Sequence, residues 1–352
     1  MGGGNIASFR TFFPTKNVTI CSLVGYSVRM DGLQVSFQSL SVAPDPLLLL
    51  LAAMVLDLVM PGGGRQWGNL DPTQWLIAAT GFLESRLNRA DRSVAKRLFR
   101  GTIVVVILVG GAWGAGWGFA VLARVAPFGW VIMVGVMAGL IVQRRPIDEA
   151  RRVGTALIHD GLGPARTQAV VVLGPRATKL DAAALVRNTV AYVGERLGDG
   201  LVGAVFWFVL LGLPGLFAYR AIRIAGILMP EKDRRFEAFG MVATRLSGVV
   251  VLLPAVLAGL MIAAASIFSP GAAPARALRV MKADRGKHIS PTLGWSVAAL
   301  VGALGLAVGA MGSGSRRDAG PADISRAVYV YGITGLLTFG LVAVLALARF
   351  MA

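Results

Sequence analysis

The chain has 352 residues, 55% of them hydrophobic and 15% charged, with 45 glycines and a formal net charge of +17. A soluble domain carries nearer a quarter charged residues, so this composition excludes an ordinary water-soluble globule and makes lipid the solvent for much of the chain. The 35 Lys and Arg residues cluster beside apolar runs, which assigns the excess charge to the lipid bilayer and not to nucleic acid.

Residues 1–45 are polar, Gly-rich at the start and without a strong signal-peptide core, and read as either a poorly ordered extension or a mis-chosen start. Leu47–Met60 is a short apolar run with Asp57 near its end, a weak span unless extended or tilted. Gly62-Gly-Gly-Arg65 lacks the Lys-Ser/Thr of a nucleotide-binding loop. Thr102–Ala123 and Phe128–Val142 form a clearer pair of spans with a turn at Pro127. Gly110, Gly114 and Gly118 recur every fourth residue and either give the first of the pair a smooth face for another backbone or are lipid-compatible filler in a Gly-rich chain. Arg86, Arg89, Arg92, Lys96, Arg97 and Arg100 precede the pair and Arg144, Arg145, Arg151 and Arg152 follow it, so both flanks are expected in the cytoplasm.

Pro146–Arg196 is expected to form short helices separated by Gly161, Gly163, Pro164, Gly174 and Pro175, a helical cytoplasmic region. Leu185, Val186, Val190 and Val193 recur at helical spacing, with Asp181 as N-cap. Continued through Leu197, this helix sets Glu195 and Asp199 about one turn apart on one side. Further apolar runs cover Leu201–Tyr219, Leu246–Phe268, Thr292–Met311 and Val328–Phe350. The loop after the first of these contains Arg220, Arg223, Lys232, Arg234 and Arg235, and would lie outside if that run crossed fully. A re-entrant hairpin turning at Gly212-Leu-Pro-Gly215 resolves the conflict, with a kinked full span as the alternative.

The fold class is therefore all-α: a polytopic membrane protein of about six membrane segments, one re-entrant segment and a helical cytoplasmic part. Its divisions fall at 1–45, 46–145, 146–200 and 201–352. Cys21, the only cysteine, leaves no intrachain disulfide and no thiolate metal cage.

Glu195, Asp199, Gly200, Phe206, Trp207, Gly212-Leu-Pro-Gly215 and Tyr219-Arg-Ala221 follow one another in a recognisable order. Phe239-Gly240, Arg245-Leu246, Ala277-Leu-Arg-Val280, Asp284-Arg-Gly-Lys-His-Ile-Ser-Pro291, Gly294-Trp295 and Gly302-Ala-Leu-Gly305 continue it. Upstream, Leu56-Asp57 and Glu84-Ser-Arg-Leu-Asn-Arg89 fit the same series. Over roughly residues 47–330 the chain resembles the membrane-bound adenosylcobinamide-phosphate synthase family of cobalamin biosynthesis, the CbiB/CobD type. The departures are equally specific. Where that family continues with Asn-Thr-x-Asp-Ser-Met, this chain reads Arg223-Ile-Ala-Gly-Ile-Leu228, and Arg-Leu-Asp-Asp has become Arg245-Leu-Ser-Gly248. Glu-Asn has become Glu195-Arg196, Ser-Pro-Asn has become Ser290-Pro-Thr292, and Gly-Trp-Pro-Glu has become Gly294-Trp-Ser-Val297.

The resemblance implies a ligase at the cell (inner) membrane that joins the free propionate of adenosylcobyric acid to aminopropanol or its phosphate, using ATP and Mg2+. Its partners would be an adenosylated corrinoid, a small amine and other cobalamin-pathway proteins. On this reading Glu195 and Asp199 are the catalytic or metal-binding carboxylates, with Asp57 or Asp284 as a further magnesium ligand. Arg220, Asp284, Lys287 and His288 form the substrate and phosphate site. The lost carboxylates and amides are the oxygens magnesium would use, so a catalytically silent membrane scaffold or regulatory partner stands beside the enzyme. Read without the family, Glu195 and Asp199 are helix-end residues pairing with Arg196 or Arg187, and Trp207, Tyr219 and Trp295 are headgroup-level anchors. A transporter would need ionisable groups near mid-membrane, and apart from Asp57 the spans have almost none.

Overall fold

The computed structural model describes residues 45–60, 71–88, 93–231, 233, 235–284, 294–306 and 319–351, together with Arg29–Met30 and Leu33–Gln34. The last two segments are short antiparallel strands, β1 and β2, in a unit formed by residues 1–42. The reading of residues 1–45 as an extension otherwise lies outside the described residues, as do Lys287 and His288.

The second unit, Ala43–Ala352, is helical. Its elements are α1 (Pro46–Val59), α2 (Pro72–Leu87), α3 (Val94–Val125), α4 (Gly129–Leu140), α5 (Arg144–His159), α6 (Leu162–Leu173), α7 (Ala182–Arg196), α8 (Gly203–Leu228), α9 (Met241–Ala265), α10 (Pro274–Asp284), α11 (Gly294–Leu304) and α12 (Pro321–Met351). Five helical stretches are long and apolar enough to cross a membrane: Val94–Val125, Gly129–His159, Ala182–Leu228, Met241–Phe268 and Pro321–Met351. The chain is a multi-pass membrane protein. Its α3 and α4 meet at the turn expected beside Pro127, where Phe128 takes a left-handed conformation (φ 60°).

Length and composition overstate two of those stretches. Gly129–His159 joins apolar α4 to basic α5 across a break at Ile141, whose backbone is extended. Ala182–Leu228 folds back on itself. Gly212 sits inside α8 at φ 68°, ψ −158°, a region open essentially to glycine alone. Pro214 then falls in the first turn of the second arm, where its missing N–H is harmless. The rings of Trp207 and Tyr219 stack at 6.4 Å, and the Tyr219 hydroxyl reaches the Asp199 carboxylate at 2.8 Å. Residues twenty apart in an unbroken helix would stand about 30 Å from each other, so the kinked full span is excluded and the hairpin stands. Trp207 Nε1 donates to the Val250 carbonyl at 3.0 Å, tying the first arm to α9.

Other expectations are corrected. Gly110, Gly114 and Gly118 have nothing within 4 Å of where a side chain would start. The close approach to α3 uses Gly116 instead, whose Cβ would lie 2.6 Å from Pro214 Cα, so α3 clasps the hairpin tip. The run Thr292–Met311 yields α11, eleven residues long and buried at every position but Trp295; at roughly 16 Å it is a core helix, too short to span. α9 is continuous through Pro254. Between α4 and α8 the breaks fall as anticipated, with Gly161 at φ 87° ending α5 and Gly174 at φ 75° ending α6. Asp181 caps α7 by accepting from Ala184 N at 2.6 Å, and Leu185, Val186, Val190 and Val193 are its buried face.

Candidate functional site

α7 runs into a π-helical turn, Leu197–Val202, and then into the first arm of α8. Asp199 is 3% exposed and Glu195 is half-buried. Gly203 follows one turn later, and a Cβ there would lie 2.2 Å from Tyr219 Oη. Only a glycine lets the returning arm bring Tyr219 this close to the Asp199 backbone.

The returning arm delivers Tyr219, Arg220 and Arg223. Asp199 Oδ1 accepts from Tyr219 Oη at 2.8 Å and from Arg223 Nε at 2.6 Å, and the Tyr219 hydroxyl also lies 3.0 Å from the Asp199 carbonyl. Arg223 Nη1 donates to Ser247 Oγ of α9 at 2.6 Å. Arg196 Nη1 stands 3.9 Å from Asp199 Oδ2, with its side chain 38% exposed. Arg220 is buried and donates to the carbonyls of Leu140 (2.6 Å) and Gly200 (2.8 Å). It satisfies the last carbonyl of α4 and one in the π-helical turn, which is where the sequence-predicted phosphate ligand is placed.

A second polar chain leads outward from the same end. Arg196 lies over the Tyr192 ring at 5.2 Å, the Tyr192 hydroxyl donates to Glu149 at 2.5 Å, and Glu149 pairs with Arg145 at 2.8 Å. Asp57 occupies a different role. Its Oδ2 accepts from the backbone N–H of Gln143 (2.8 Å) and Arg144 (3.1 Å), so a carboxylate from α1 caps the start of α5. Asp284 is fully buried at the end of α10.

The site is thus one buried carboxylate facing three guanidinium groups, with Arg196 the one that reaches solvent. This excess positive charge suits an anionic group of a ligand. The described residues contain no group of three or more His, Cys, Asp or Glu side chains able to hold a metal. Asp199 already accepts from Tyr219 and Arg223 through one oxygen. Magnesium, which takes oxygen ligands in near-octahedral geometry, does not fit the Glu195/Asp199 pair. Sequence reasoning singled out Asp199 and Arg220, and named Arg196 as a pairing partner of Asp199, which the 3.9 Å contact bears out; it did not place Arg223 or Ser247 beside them. The available signal was the spacing of Arg220 and Arg223, one helical turn apart on a single face.

A fold of this kind, a multi-pass helical membrane protein with a folded-back Gly-Leu-Pro-Gly element sealing a buried ion pair, defines a class before any comparison. A family profile described as CobD/Cbib protein matches residues 50–327. Among curated relatives, the cobalamin biosynthesis protein CobD of Sinorhizobium sp is 33% identical over 263 residues, covering 74% of this chain and 81% of that protein. The cobalamin biosynthesis protein CobD of Rhizobium meliloti is 31% identical over 317 residues, covering 84% and 96%. The cobalamin biosynthesis protein CbiB of Salmonella typhimurium is 28% identical over 303 residues, covering 82% and 94%. No solved structure matches. The chain belongs to the CobD/CbiB family of cobalamin biosynthesis, the adenosylcobinamide-phosphate synthase family.

Proposed function

We propose that the protein acts at the cell inner membrane in the amide-forming step of cobalamin assembly, joining the propionate of adenosylcobyric acid to aminopropanol or its phosphate. The observation that carries this reading is the fold-back at Gly212, which gathers Glu195, Arg196 and Asp199 with Tyr219, Arg220 and Arg223 at one end of the hairpin. Adenosine triphosphate supplies the activation that makes a carboxylate reactive toward an amine. This chain's own residues do the rest by position and charge. Arg196, the exposed cation of the cluster, faces a phosphate or carboxylate, and Glu195, half-buried one residue away, orients the ammonium of the amine. Asp199, Tyr219 and Arg223 hold the backbone that presents both groups.

One observation favours a second reading. The Asp199–Arg223–Ser247 chain closes the space between α8 and α9 with an internal cation, as expected of a corrinoid-binding scaffold that no longer ligates. Complementation of a strain lacking its own synthase separates the two. Growth on cobyric acid, with the protein verified in the membrane, supports the ligase. No growth, accompanied by a corrinoid-dependent spectral change in the purified protein, supports the scaffold.

A further inference from the structure

A groove of about 620 Å³ lies between α1, α5 and α12. Its volume is in the range of small-molecule and lipid-chain sites. The α12 side runs from Val328 to Phe339, roughly 16 Å of helix at 1.5 Å per residue. Leu58, Leu336 and Phe339 make its walls apolar, and Leu58 and Leu336 are 39% and 68% exposed, so the open side meets hydrocarbon.

Two polar atoms interrupt this apolar lining. Gln143 is 6% exposed and Tyr331 is 1% exposed, and among the described residues Gln143 Oε1 and Tyr331 Oη have no hydrogen-bond partner. Buried groups of this kind are almost always satisfied, so a partner from outside the chain is the physical expectation. Arg151 lines the same groove and also the neighbouring polar cleft with Arg152. Both guanidinium groups are exposed and form no ion pair among the described residues. The order along the groove is therefore cation, hydrogen-bonding pair, apolar channel.

We propose that this groove binds one anionic glycerophospholipid of the surrounding bilayer. Its phosphate meets Arg151, a headgroup hydroxyl donates to Gln143 Oε1, an ester carbonyl accepts from Tyr331 Oη, and one acyl chain follows α12 past Leu336 to Phe339. The assignment is independent of whether the chain ligates corrinoids, because none of these residues belongs to the ion-pair cluster.

The test is native mass spectrometry of the purified, delipidated full-length protein titrated with palmitoyl-oleoyl phosphatidylglycerol or the phosphatidylcholine with the same chains. The expected result is retention of phosphatidylglycerol about tenfold over phosphatidylcholine, a difference charge complementarity can supply. Gly332→Phe should abolish that preference by filling the groove; Gly332 lines it and has nothing within 4 Å of its Cβ position, so the variant should stay monodisperse. Arg151→Gln, an exposed change, should reduce phosphatidylglycerol to the phosphatidylcholine level. Equal retention of the two lipids by the parent protein, or unchanged preference in either variant, would overturn the proposal. Displacement of bound lipid by inorganic phosphate would also overturn it, by showing a soluble-anion site.

Discussion

Asp199 and Arg223 are 24 residues apart in the chain and meet at 2.6 Å, both buried, across the two arms of one hairpin. By the resemblance drawn from the sequence, Arg223 and Ser247 both stand at departures from the family pattern. These two positions touch, Arg223 Nη1 donating to Ser247 Oγ at 2.6 Å. Substitutions that read in sequence as separate losses form one continuous contact in the fold.

Breaking that pair from one side should be costly. Asp199→Ala leaves the Arg223 guanidinium buried without its counter-charge, which destabilises by about 3–5 kcal/mol. The double variant Asp199→Leu with Arg223→Met removes both charges and should recover most of the loss. Apparent melting temperatures of the three proteins in detergent give the comparison. A double variant no more stable than Asp199→Ala would show that the pair is not the unit described here.

Gly212 should tolerate no side chain. Its φ of 68° with ψ of −158° costs a non-glycine residue about 1–3 kcal/mol. Gly212→Ala should therefore lower the apparent melting temperature and expose the hairpin to protease in membranes, while Gly110→Ala, at a position with open space, should do neither.

Gly203 tests the contact between the arms. Its Cβ would lie 2.2 Å from Tyr219 Oη, so Gly203→Ala should destabilise, and Tyr219→Phe should recover part of the loss by removing the hydroxyl. Additive effects of the two changes, measured by thermal unfolding, would contradict the packing, since residues in contact are expected to couple.

Asp57 acts through α5. Asp57→Ala removes the acceptor for the Gln143 and Arg144 N–H groups, a loss of about 0.5–2 kcal/mol by analogy with helix caps. Asp57→Asn keeps an acceptor oxygen and should lose less. Amide exchange at the start of α5 is the readout, and equal protection in all three proteins would exclude the capping role.

Much of the frame was legible in the sequence for simple reasons. Apolar length identifies α3, α9 and α12, since a bilayer imposes it. The Gly212-Leu-Pro-Gly215 run identifies the fold-back, since few other sequences satisfy that backbone. Asp181 and the Leu185–Val193 spacing identify α7. Three things were not legible. The π-helical turn after Arg196 leaves no periodic signature in its six residues. The contacts of Asp199 with Tyr219 and Arg223 arise only when the arms close, so Arg223 read as a missing ligand, and the bonds of Arg220 to the Leu140 and Gly200 carbonyls could not be foreseen. The glycines of α3 that accept a neighbour, Gly116 above all, depend on where the hairpin tip lands and not on their spacing.

The central claim is that the hairpin returns the chain to the side it came from, with Glu195 and Arg235 at the same membrane surface. Arg235 pairs there with Glu84 of α2 at 2.7 Å and accepts from Arg97 through its carbonyl. With Cys21 replaced by Ser, single cysteines at positions 195 and 235 can be labelled with a membrane-impermeant maleimide in right-side-out and inverted vesicles. The account predicts that both positions label in the same vesicle orientation; labelling in opposite orientations would contradict it.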